Sequence, residues 1–443
     1  MTFTASPAAS KFLRIHAYVV MFFVCLLSVT TILKIGDVQY LELLLAADLP
    51  ILLLAFAMSG FRVRVFRPFL RIGRSYFIFL VFAFLLAILA LRQDFTLADE
   101  TFLRQPLVVT VSRVAELVLD VTYMLYLASC SKEDEKLCIF GAKVYYWTAI
   151  AGGLYSVLSF PLNYAYGVAL GTYGDSHRMR GFNIEGGPYG VYLVTVIALI
   201  YAVHRKGWLS RAQTFWGSCL MFVCLIGSQS KAAFFVLALL FLFYLVWSSS
   251  GWKRFTLIGT TALVFLVAAV VVDLPGKIEV YEQASNQYQK LSNLRSEDAN
   301  FVMGRVAGAV LSPRMIAAHP LVGIGWGNYP LVRDDPEYRR GSSFSMYPGD
   351  APGLGLIDYV VELGIPLWVY LTWILMKPAY YLRRSGADPR VVALAALHPL
   401  VVSLGTHLNL IYPWAVVALA LGMGFNRWHA VQETPAVPVA KLD

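Results

Sequence analysis

The sequence predicts an all-α integral membrane protein with about twelve transmembrane helices and one large helical loop. Three observations support this fold class. The 443 residues are 58% hydrophobic and only 14% charged, whereas soluble domains are about a quarter charged. Apolar runs of roughly the 20 residues that cross a bilayer recur along the chain. The basic residues between these runs concentrate in alternate short loops, which is typical of a multi-pass membrane protein.

The apolar runs fix the positions of the predicted spans and of the domains that they define. We expect spans near residues 16–34, 40–59, 75–91, 106–130, 139–160, 187–203, 214–229, 232–249, 255–274, 354–376, 391–408 and 411–426. The first nine spans, a large loop, three further spans and a cytoplasmic tail then occupy residues 1–274, 275–353, 354–426 and 427–443.

The first apolar run follows Lys11 and Arg14, as the core of a secretory signal peptide would. No small-x-small cleavage site follows it, so we interpret it as a retained helix. The five cysteines lie in predicted spans or at their inner ends, at Cys25, Cys130, Cys138, Cys219 and Cys224. Because this spacing is not that of metal ligands on an exposed loop, we expect small core residues, no metal site and no cofactor.

The distribution of lysine and arginine orients the chain in a bacterial inner membrane, with both termini in the cytoplasm. The predicted inner loops hold Arg62, Arg64, Arg67, Arg71, Arg74, Lys132, Lys136, Arg205, Lys206, Arg211, Lys253, Arg254, Lys377, Arg383, Arg384 and Arg390. The short outer loops hold far fewer. The net charge of +9 therefore reflects topology, and we expect a lipid bilayer and no nucleic acid as partner.

One connection, residues 275–353, is much longer than the others and falls on the periplasmic side. Connections of this length are usually functional or disordered. This one is rich in aromatic and aliphatic residues, and its segment 303–318 predicts a helix that ends before His319 and Pro320. We expect it to form a small folded cap over the outer face of the membrane.

Three ionisable residues lie within the fourth predicted span, where charge is costly. Arg113, Glu116 and Asp120 are spaced to share one helical face. They predict either an intrahelical ion pair that has a third partner on a neighbouring helix or a functional site. Asp48 in the second span is a candidate partner or, alternatively, an interfacial residue.

Cations on the predicted outer side run against the topology signal and are candidate phosphate ligands. They are Arg178, Arg180, Lys231, Arg305 and Arg314. Guanidinium groups suit phosphate oxygens and can stabilise a leaving pyrophosphate. A second group, Arg333, Arg339 and Arg340, lies among Asp334, Asp335 and Glu337, and for this group we expect ion pairs on a solvated surface.

Histidine is the residue type best suited to remove a proton from a sugar hydroxyl near neutral pH. His319 in the long loop is a candidate general base, or alternatively only the end of a helix before Pro320. His177 is a further candidate, and a third lies at His407 with Asn409.

Four stretches of the chain carry a family resemblance. They are RMRGFNIEGGPYGVYL (178–193), LIGSQSKAAFFVLALL (225–240), GRVAGAVLSPRMIAAHPLVGIGWGNY (304–329) and GLIDYVVELGIPLWVYL (355–371). In this order they resemble the O-antigen ligase and polymerase superfamily. Its members show R-x-x-G-x-F and N before one span, T-x-S-R-[GA] opening another, R and P-x-x-G-x-G-x-[GN]-x in the large loop, and an E-x-G helix after it.

The resemblance covers roughly residues 175–375 and implies a GT-C-like membrane glycosyltransferase that needs no metal and inverts the anomeric carbon. The implied donor is a glycan on undecaprenyl pyrophosphate, and the implied acceptor is a hydroxyl of another glycan or of lipid A core. By position, the pyrophosphate-binding role would pass to Arg180, Lys231 and Arg305.

Two departures from the family pattern bear on which enzyme this is. Lys231 replaces the expected arginine, which keeps the charge and loses the planar fork. Gly353 stands where ligases place a histidine, so Asp350, Asp358 or His319 is the expected base. We predict a polymerase of lipid-linked repeat units for a surface polysaccharide or exopolysaccharide. A ligase that transfers to lipid A core is the alternative within this chemistry, and a transporter of lipid-linked sugars is the alternative outside it.

Overall fold

Long α-helices make up most of the computed structural model of this chain. It describes residues 2–3, 7–27, 30, 34–35, 38–58, 63–64, 66–90, 105–173, 177–183, 186–248, 256, 307–333, 335–339, 356–402 and 411–426. The helices are α1 (Pro7–Leu27), α2 (Tyr40–Met58), α3 (Arg67–Ala90), α4 (Pro106–Glu133), α5 (Glu135–Tyr166), α6 (Gly186–Arg205), α7 (Arg211–Ser228), α8 (Lys231–Ser248), α9 (Ala307–Ala318), α10 (Tyr329–Val332), α11 (Pro336–Arg339), α12 (Leu356–Arg384), α13 (Pro389–Val402) and α14 (Ile411–Phe425).

Short strands of two residues accompany the helices. They are β1 (Thr2–Phe3), β2 (Lys34–Ile35), β3 (Val38–Gln39), β4 (Val63–Arg64), β5 (Thr172–Tyr173) and β6 (Arg178–Met179). They form three antiparallel pairs, β1 with β4, β2 with β3, and β5 with β6. The third pair lies directly before α6 and holds Arg178.

A described helix lies at each predicted span except the ninth, whose residues 255–274 fall outside the described part apart from Thr256. The boundaries differ by up to nine residues, and α1 starts at Pro7 because proline suits the first turn of a helix. Helices long and apolar enough to cross a membrane are Arg67–Ala90, Glu135–Tyr166, Gly186–Arg205 and Asp358–Arg384. The chain is therefore an α-helical membrane protein, while the count of twelve spans and the four domain boundaries stay predictions.

The helix ends follow from local sequence. Asp134 alone separates α4 from α5, and its side chain accepts a hydrogen bond from the backbone N–H of Lys136. Gly167 ends α5 in the left-handed conformation, and Ser210 with Gln213 forms a capping box at the start of α7. Such short connections make consecutive helices antiparallel.

One end of the bundle collects most of the irregular backbone, and we call it the loop end. It holds the start of α4, the end of α5, the starts of α6, α8 and α12, and the end of α7. Contacts join these parts: Thr110 of α4 bonds the segment before α10, and Gly186 of α6 lies against the carbonyl of Ser228. At the opposite end α6 and α12 terminate, and α7 and α13 begin.

Inside the bundle, α1, α2 and α4 share a polar cluster. His16 Nε2 lies 3.0 Å from Asp48 Oδ1, and its Nδ1 lies 2.9 Å from the hydroxyl of Tyr126. The Tyr123 hydroxyl donates to Asp48 Oδ2 at 2.7 Å. The partners of the Asp48 carboxylate are therefore His16 and Tyr123 rather than the fourth-span charges, and the interfacial alternative stays a prediction.

The outer faces of the helices carry large apolar side chains, as a lipid solvent favours. On α3, Phe77 is 66% exposed, and Phe82 and Leu85 are also exposed.

The expected core position of the cysteines is confirmed for Cys25, Cys138 and Cys224, but it is wrong for Cys219, whose side chain lies on the exposed face of α7.

Candidate functional site

The phrase HPLVGIGWGNY (319–329) forms an irregular segment that docks against α12, and we call it the inserted loop. Its backbone pairs with α12 much as two strands would. The N–H groups of Ile324 and Gly325 donate to the carbonyls of Val361 and Glu362 at 3.1 and 3.0 Å. In return, the N–H of Ile365 donates to the carbonyl of Pro320 at 2.8 Å. The inserted loop and the ELG sequence of α12 (residues 362–364) therefore form one structural unit.

Two glycines make this pairing possible. Gly364 breaks α12 with φ 72° and ψ 165°, which frees backbone groups of the helix for the loop. Gly323 has φ 69°, and a Cβ atom there would lie 2.4 Å from the carbonyl oxygen of Glu362. A Cβ at Gly364 would lie 2.4 Å from the carbonyl oxygen of Leu321. Both the conformation and the close approach therefore require glycine.

The inserted loop penetrates between α3 and α4. The Trp326 ring packs edge-on against Phe79 with centroids 5.6 Å apart, and its carbonyl accepts a hydrogen bond from Thr110 at 2.9 Å. Gly327 packs on the side chains of Val109 and Arg113. Non-helical backbone between membrane helices is tolerated where protein surrounds it and satisfies its polar groups. The contacts of Trp326 and Gly327 provide such surroundings for the inserted loop.

The charged face of α4 meets this loop. Arg113 pairs with Glu116 at 3.1 Å, so the predicted intrahelical ion pair is confirmed. Glu362 of α12 is a buried carboxylate within the electrostatic reach of Arg113, and it lies one turn after Asp358. The backbone N–H of Tyr329 approaches Glu362 Oε1 at 3.5 Å. Glu362 thus lies at the end of the inserted loop and beside Arg113.

Asp120, the third charged residue of this face, is fully enclosed in the bundle. Its Oδ2 atom has no hydrogen-bond partner in the part of the chain that the structure describes. Asp120 lies within the electrostatic reach of Glu42 and Glu116. Asp120 therefore has acidic neighbours on α2 and on its own helix α4, and it is not part of the ion pair between Arg113 and Glu116.

Arg333 departs most from the sequence expectation. Instead of pairing on a solvated surface, its side chain is only 2% exposed. Among the described residues, its Nε and Nη2 atoms have no hydrogen-bond partner, although Asp335 follows two residues later. A buried guanidinium without partners is unfavourable by itself, and an anion at this place would satisfy it.

The expectation of surface ion pairs is therefore wrong for Arg333. It is wrong for Asp335 as well, which is also buried. The side chains of Arg339 and Arg340, and all of Asp334, lie outside the described residues.

His319 and Arg314 both contact Tyr338 of α11. His319 Nε2 lies 2.7 Å from the Tyr338 hydroxyl, and Arg314 Nη1 donates to the Tyr338 carbonyl at 3.0 Å. The predicted helix that ends before His319 is confirmed as α9.

Partial burial lowers the pKa of His319, and burial near Glu337 raises the pKa of Tyr338 to about 12. His319 is therefore neutral near pH 7 and Tyr338 keeps its proton.

These contacts define two possible states of the imidazole. When Nε2–H donates to the hydroxyl oxygen of Tyr338, Nδ1 can accept a proton from a ligand. When the Tyr338 hydroxyl donates to Nε2, Nδ1 carries the proton and His319 is a donor. Only the first state suits a general base.

The remaining predicted cations lie around the starts of α6 and α8. Arg178 Nε donates to the carbonyl of Ser228 at 3.0 Å, and Arg180 Nε and Nη2 donate to that of Leu170 at 3.2 and 3.0 Å. Both arginines thus use part of their guanidinium on backbone carbonyls. Lys231 is exposed, and within the described part of the chain it has no acidic partner.

The turn that presents Lys231 is held tightly against α6. The Ser230 hydroxyl donates to the carbonyl of Gly187 at 3.1 Å, and a Cβ atom at Gly190 would lie 2.5 Å from Ser230 Cβ. Serine and glycine therefore bring the two helices together where the cations Arg178 and Lys231 emerge.

Some predicted site residues lie outside the described part of the chain. They are Arg305, Asp350, His407 and Asn409. Asp358 is half-buried in the first turn of α12. His177 is described, and its Nδ1 bonds the side-chain oxygen of Asn163 at the end of α5, so the side chain supports the turn there.

Sequence reasoning missed two buried ionisable residues near the inserted loop, Arg333 and Glu362. The signal for Glu362 was present as the glutamate of the E-x-G pattern. The local acids beside Arg333 pointed the other way, since they favoured a surface ion pair.

Comparison with known families adds one match. Residues 216–372 match the family described as O-antigen ligase. The match runs from α7 through the inserted loop to α12, and it contains Lys231, Arg314, His319, Arg333 and Glu362. No curated protein matches the chain.

Proposed function

We propose, on the premise that this match makes the chain a member of the O-antigen ligase and polymerase superfamily, that it polymerises lipid-linked repeat units. The membership supports a membrane enzyme of the ligase or polymerase type. The donor that we propose is a glycan on undecaprenyl pyrophosphate, and the product is a surface polysaccharide or exopolysaccharide.

The observation that carries this proposal is the buried guanidinium of Arg333, whose Nε and Nη2 atoms have no hydrogen-bond partner among the described residues. It lies in the matched region, four residues after the inserted loop. Two oxygens of a pyrophosphate would satisfy its Nε and Nη2 atoms in one bidentate contact. A dry site of this kind makes the electrostatic stabilisation of a leaving anion strong.

The reaction follows from these groups. A sugar hydroxyl of the acceptor attacks the anomeric carbon of the donor glycan from the face opposite the pyrophosphate. The new glycosidic C–O bond forms as the bond between the anomeric carbon and the pyrophosphate oxygen breaks, so the configuration inverts. The hydroxyl proton passes to a base of the protein, and undecaprenyl pyrophosphate leaves as an anion stabilised by cations.

The base that we propose is His319, with Asp358 as the second candidate among the described residues. His319 is neutral near pH 7 because partial burial lowers its pKa, so it can accept a proton. Its contact with Tyr338 holds the ring in a fixed orientation. Asp358 is half-buried at the start of α12, on the same structural unit as the inserted loop.

The exposed cation at the start of α8 completes the proposal. Lys231 lacks an acidic partner within the described residues and begins a helix whose amino end favours anions. Together with Arg178 and Arg180 it would guide the lipid-linked donor toward the loop end. Arg305 is proposed for the same role from its place in the family pattern.

Orientation in the membrane is part of the same proposal. The loop end would face the periplasm, with about twelve spans in a GT-C-like arrangement and both termini in the cytoplasm. The basic residues Arg205, Lys206 and Arg211 lie together at the opposite end, which supports this orientation.

The ligase alternative has one observation in its favour, because the matching family carries the description O-antigen ligase. Its acceptor would be lipid A core. The glycine at position 353, where ligases place a histidine, favours the polymerase.

The test is a transfer assay with purified protein and undecaprenyl-pyrophosphate-linked repeat unit, with and without lipid A core, and with products resolved by size. A ladder without lipid A core is the expected result. Product only with lipid A core would replace the polymerase by the ligase, and no transfer under either condition would overturn the glycosyltransferase proposal. Lys231→Gln is expected to slow transfer, while its matched control Lys231→Arg retains it.

A further inference from the structure

A second concentration of positive charge lies at the opposite end of the bundle from the inserted loop. There, an open cavity of about 570 Å³ lies between the end of α6, the start of α7 and the start of α13. Its lining includes Arg205, Arg211, Arg390 and His204. No carboxylate lines it among the described residues, so the cavity suits an anion.

Arg390 and Tyr201 form the inner wall of this cavity. The guanidinium carbon of Arg390 lies 4.5 Å from the centre of the Tyr201 ring, and Tyr244 packs edge-on against Tyr201 with centroids 6.1 Å apart. The stacking holds the guanidinium plane in place while its other edge can meet a phosphate. The nearest described acid, Asp388, accepts a hydrogen bond from the Arg390 backbone N–H at 2.8 Å and so caps α13.

An apolar cleft of about 130 Å³ continues from the same two residues toward the middle of the bundle. It lies between α6, α8 and α13 and is lined by Leu237, Leu240, Phe241 and Leu394, among others. Tyr201 and Arg390 line both spaces, so the polar cavity and the apolar cleft meet at these residues. A molecule that occupies both spaces must have an anionic head and an apolar tail.

Aromatic side chains place this cavity at the level of lipid headgroups. Trp216 of α7 is 70% exposed, and Lys206 lies over the Trp208 ring with its Nζ 5.8 Å from the ring centre. Exposed tryptophan with neighbouring lysine is typical of the boundary between membrane and water. The cavity therefore opens where a phospholipid phosphate lies.

We propose that this cavity and cleft bind one anionic phospholipid from the leaflet at this end of the bundle. The phosphate would contact Arg205, Arg211 and Arg390, and one acyl chain would lie in the cleft between α6, α8 and α13. Basic pockets between membrane helices bind acidic lipid headgroups in this way. Because the lipid would join three helices that meet there, its binding stabilises their packing.

The experiment measures lipid binding to the purified full chain by native mass spectrometry and by thermal unfolding. Phosphatidylglycerol is compared with phosphatidylcholine of the same acyl chains. Phosphatidylglycerol is expected to remain bound and to raise the unfolding temperature, while phosphatidylcholine does neither. In the double variant Arg205→Gln, Arg211→Gln, phosphatidylglycerol affinity is expected to fall by roughly tenfold or more. Arg384→Gln, which removes a cation at the same end and outside the cavity, is the matched control.

Two further measurements distinguish binding of a phospholipid from binding of a soluble anion. Glycerol 3-phosphate alone is expected to give little stabilisation, since it lacks the acyl chain. Ala198→Phe fills the cleft, and it is expected to weaken phosphatidylglycerol binding while the protein still folds. Equal binding of both phospholipids, full stabilisation by glycerol 3-phosphate, or unchanged affinity in the double arginine variant would each overturn the proposal.

Discussion

Two buried groups of charge in this protein differ in how completely their polar atoms are satisfied. Between α1, α2 and α4, His16, Asp48 and the hydroxyls of Tyr123 and Tyr126 satisfy one another. Near the inserted loop, Arg333 is buried, and two of its nitrogens have no partner in the described part of the chain. A cluster whose polar atoms are all hydrogen-bonded stabilises a fold, whereas a buried cation without such partners is a candidate to bind an anionic ligand.

We propose that the same difference separates charges with a structural role from charges with a functional role. Ionisable residues in spans are functional candidates by default, but the His16 and Asp48 pair shows how three helices can absorb such charge without a ligand. We therefore expect substitutions in the first cluster to change stability and those near the inserted loop to change transfer.

The largest loss of transfer is expected from Gly323→Val and Gly364→Val, which would break the unit that carries Arg333. At each position a Cβ atom would lie 2.4 Å from a backbone oxygen of the partner segment, so the inserted loop cannot dock. Loss of the product ladder and a lower unfolding temperature are the expected readouts.

Gly386→Val is the matched control for these two substitutions. Gly386 has a similar φ of 78° and open space around its Cβ position, so it tests strain alone, which costs about 1–3 kcal/mol. If Gly323→Val and Gly386→Val reduced transfer equally, the inserted loop would not be needed for the reaction.

Arg333→Gln is expected to reduce transfer by roughly 100-fold or more, since it removes a cation from the developing charge. The unfolding temperature is expected to stay unchanged or to rise, because no described side-chain partner is lost and an unpaired buried charge is removed. The measurements are initial rates and thermal unfolding of the same preparation. The transfer rate of Arg333→Lys, which keeps the charge without the planar guanidinium, should lie between those of the unsubstituted chain and Arg333→Gln. Full activity with glutamine would place Arg333 among the structural residues.

The pH dependence of the transfer rate tests the proposed role of His319 as the base near the inserted loop. Because burial lowers the pKa of His319, its neutral form persists below the usual histidine pKa of about 6.5. Transfer limited by this base is expected to stay level from alkaline pH down to that value and to fall only at lower pH. His319→Gln should lower the rate by roughly 100-fold and remove the acid limb. An unchanged profile in this variant would point to Asp358 instead, tested by Asp358→Asn.

The smallest effect on transfer is expected from Asp48→Ala, even though its effect on stability is large. Asp48→Ala removes the hydrogen-bond partner of His16 and an acceptor of the Tyr123 hydroxyl, and each buried polar group left unsatisfied costs about 1–3 kcal/mol. The unfolding temperature should fall clearly, while the rate per folded molecule stays that of the unsubstituted protein. A large loss of rate in folded Asp48→Ala would mean that the satisfied cluster also takes part in function.

The sequence predicted the helices well because apolar runs report the bilayer directly. It also identified the inserted loop and the ELG of α12 as related motifs. It did not predict that Trp326 reaches Phe79 of α3 and Thr110 of α4, because contacts between residues so distant in sequence leave no local pattern.

The failures at single residues have the same cause. Asp48 and His16 lie on different helices, so their pairing is invisible to helical spacing. Arg333 was assigned to a solvated surface because acids adjoin it in sequence, whereas its burial depends on α9 and α12 packing around the segment. Lys231 is exposed at the short turn before α8, and its role as a pyrophosphate ligand stays a prediction.

The most direct test of the central claim is the binding of undecaprenyl pyrophosphate to the purified protein, compared between the unsubstituted chain, Arg333→Gln and Asp48→Asn. The account predicts that Arg333→Gln weakens binding by roughly tenfold or more, since it removes a bidentate charge-assisted contact, and that Asp48→Asn binds normally once folded. Equal binding by the unsubstituted chain and Arg333→Gln would contradict the claim that the unsatisfied guanidinium holds the pyrophosphate.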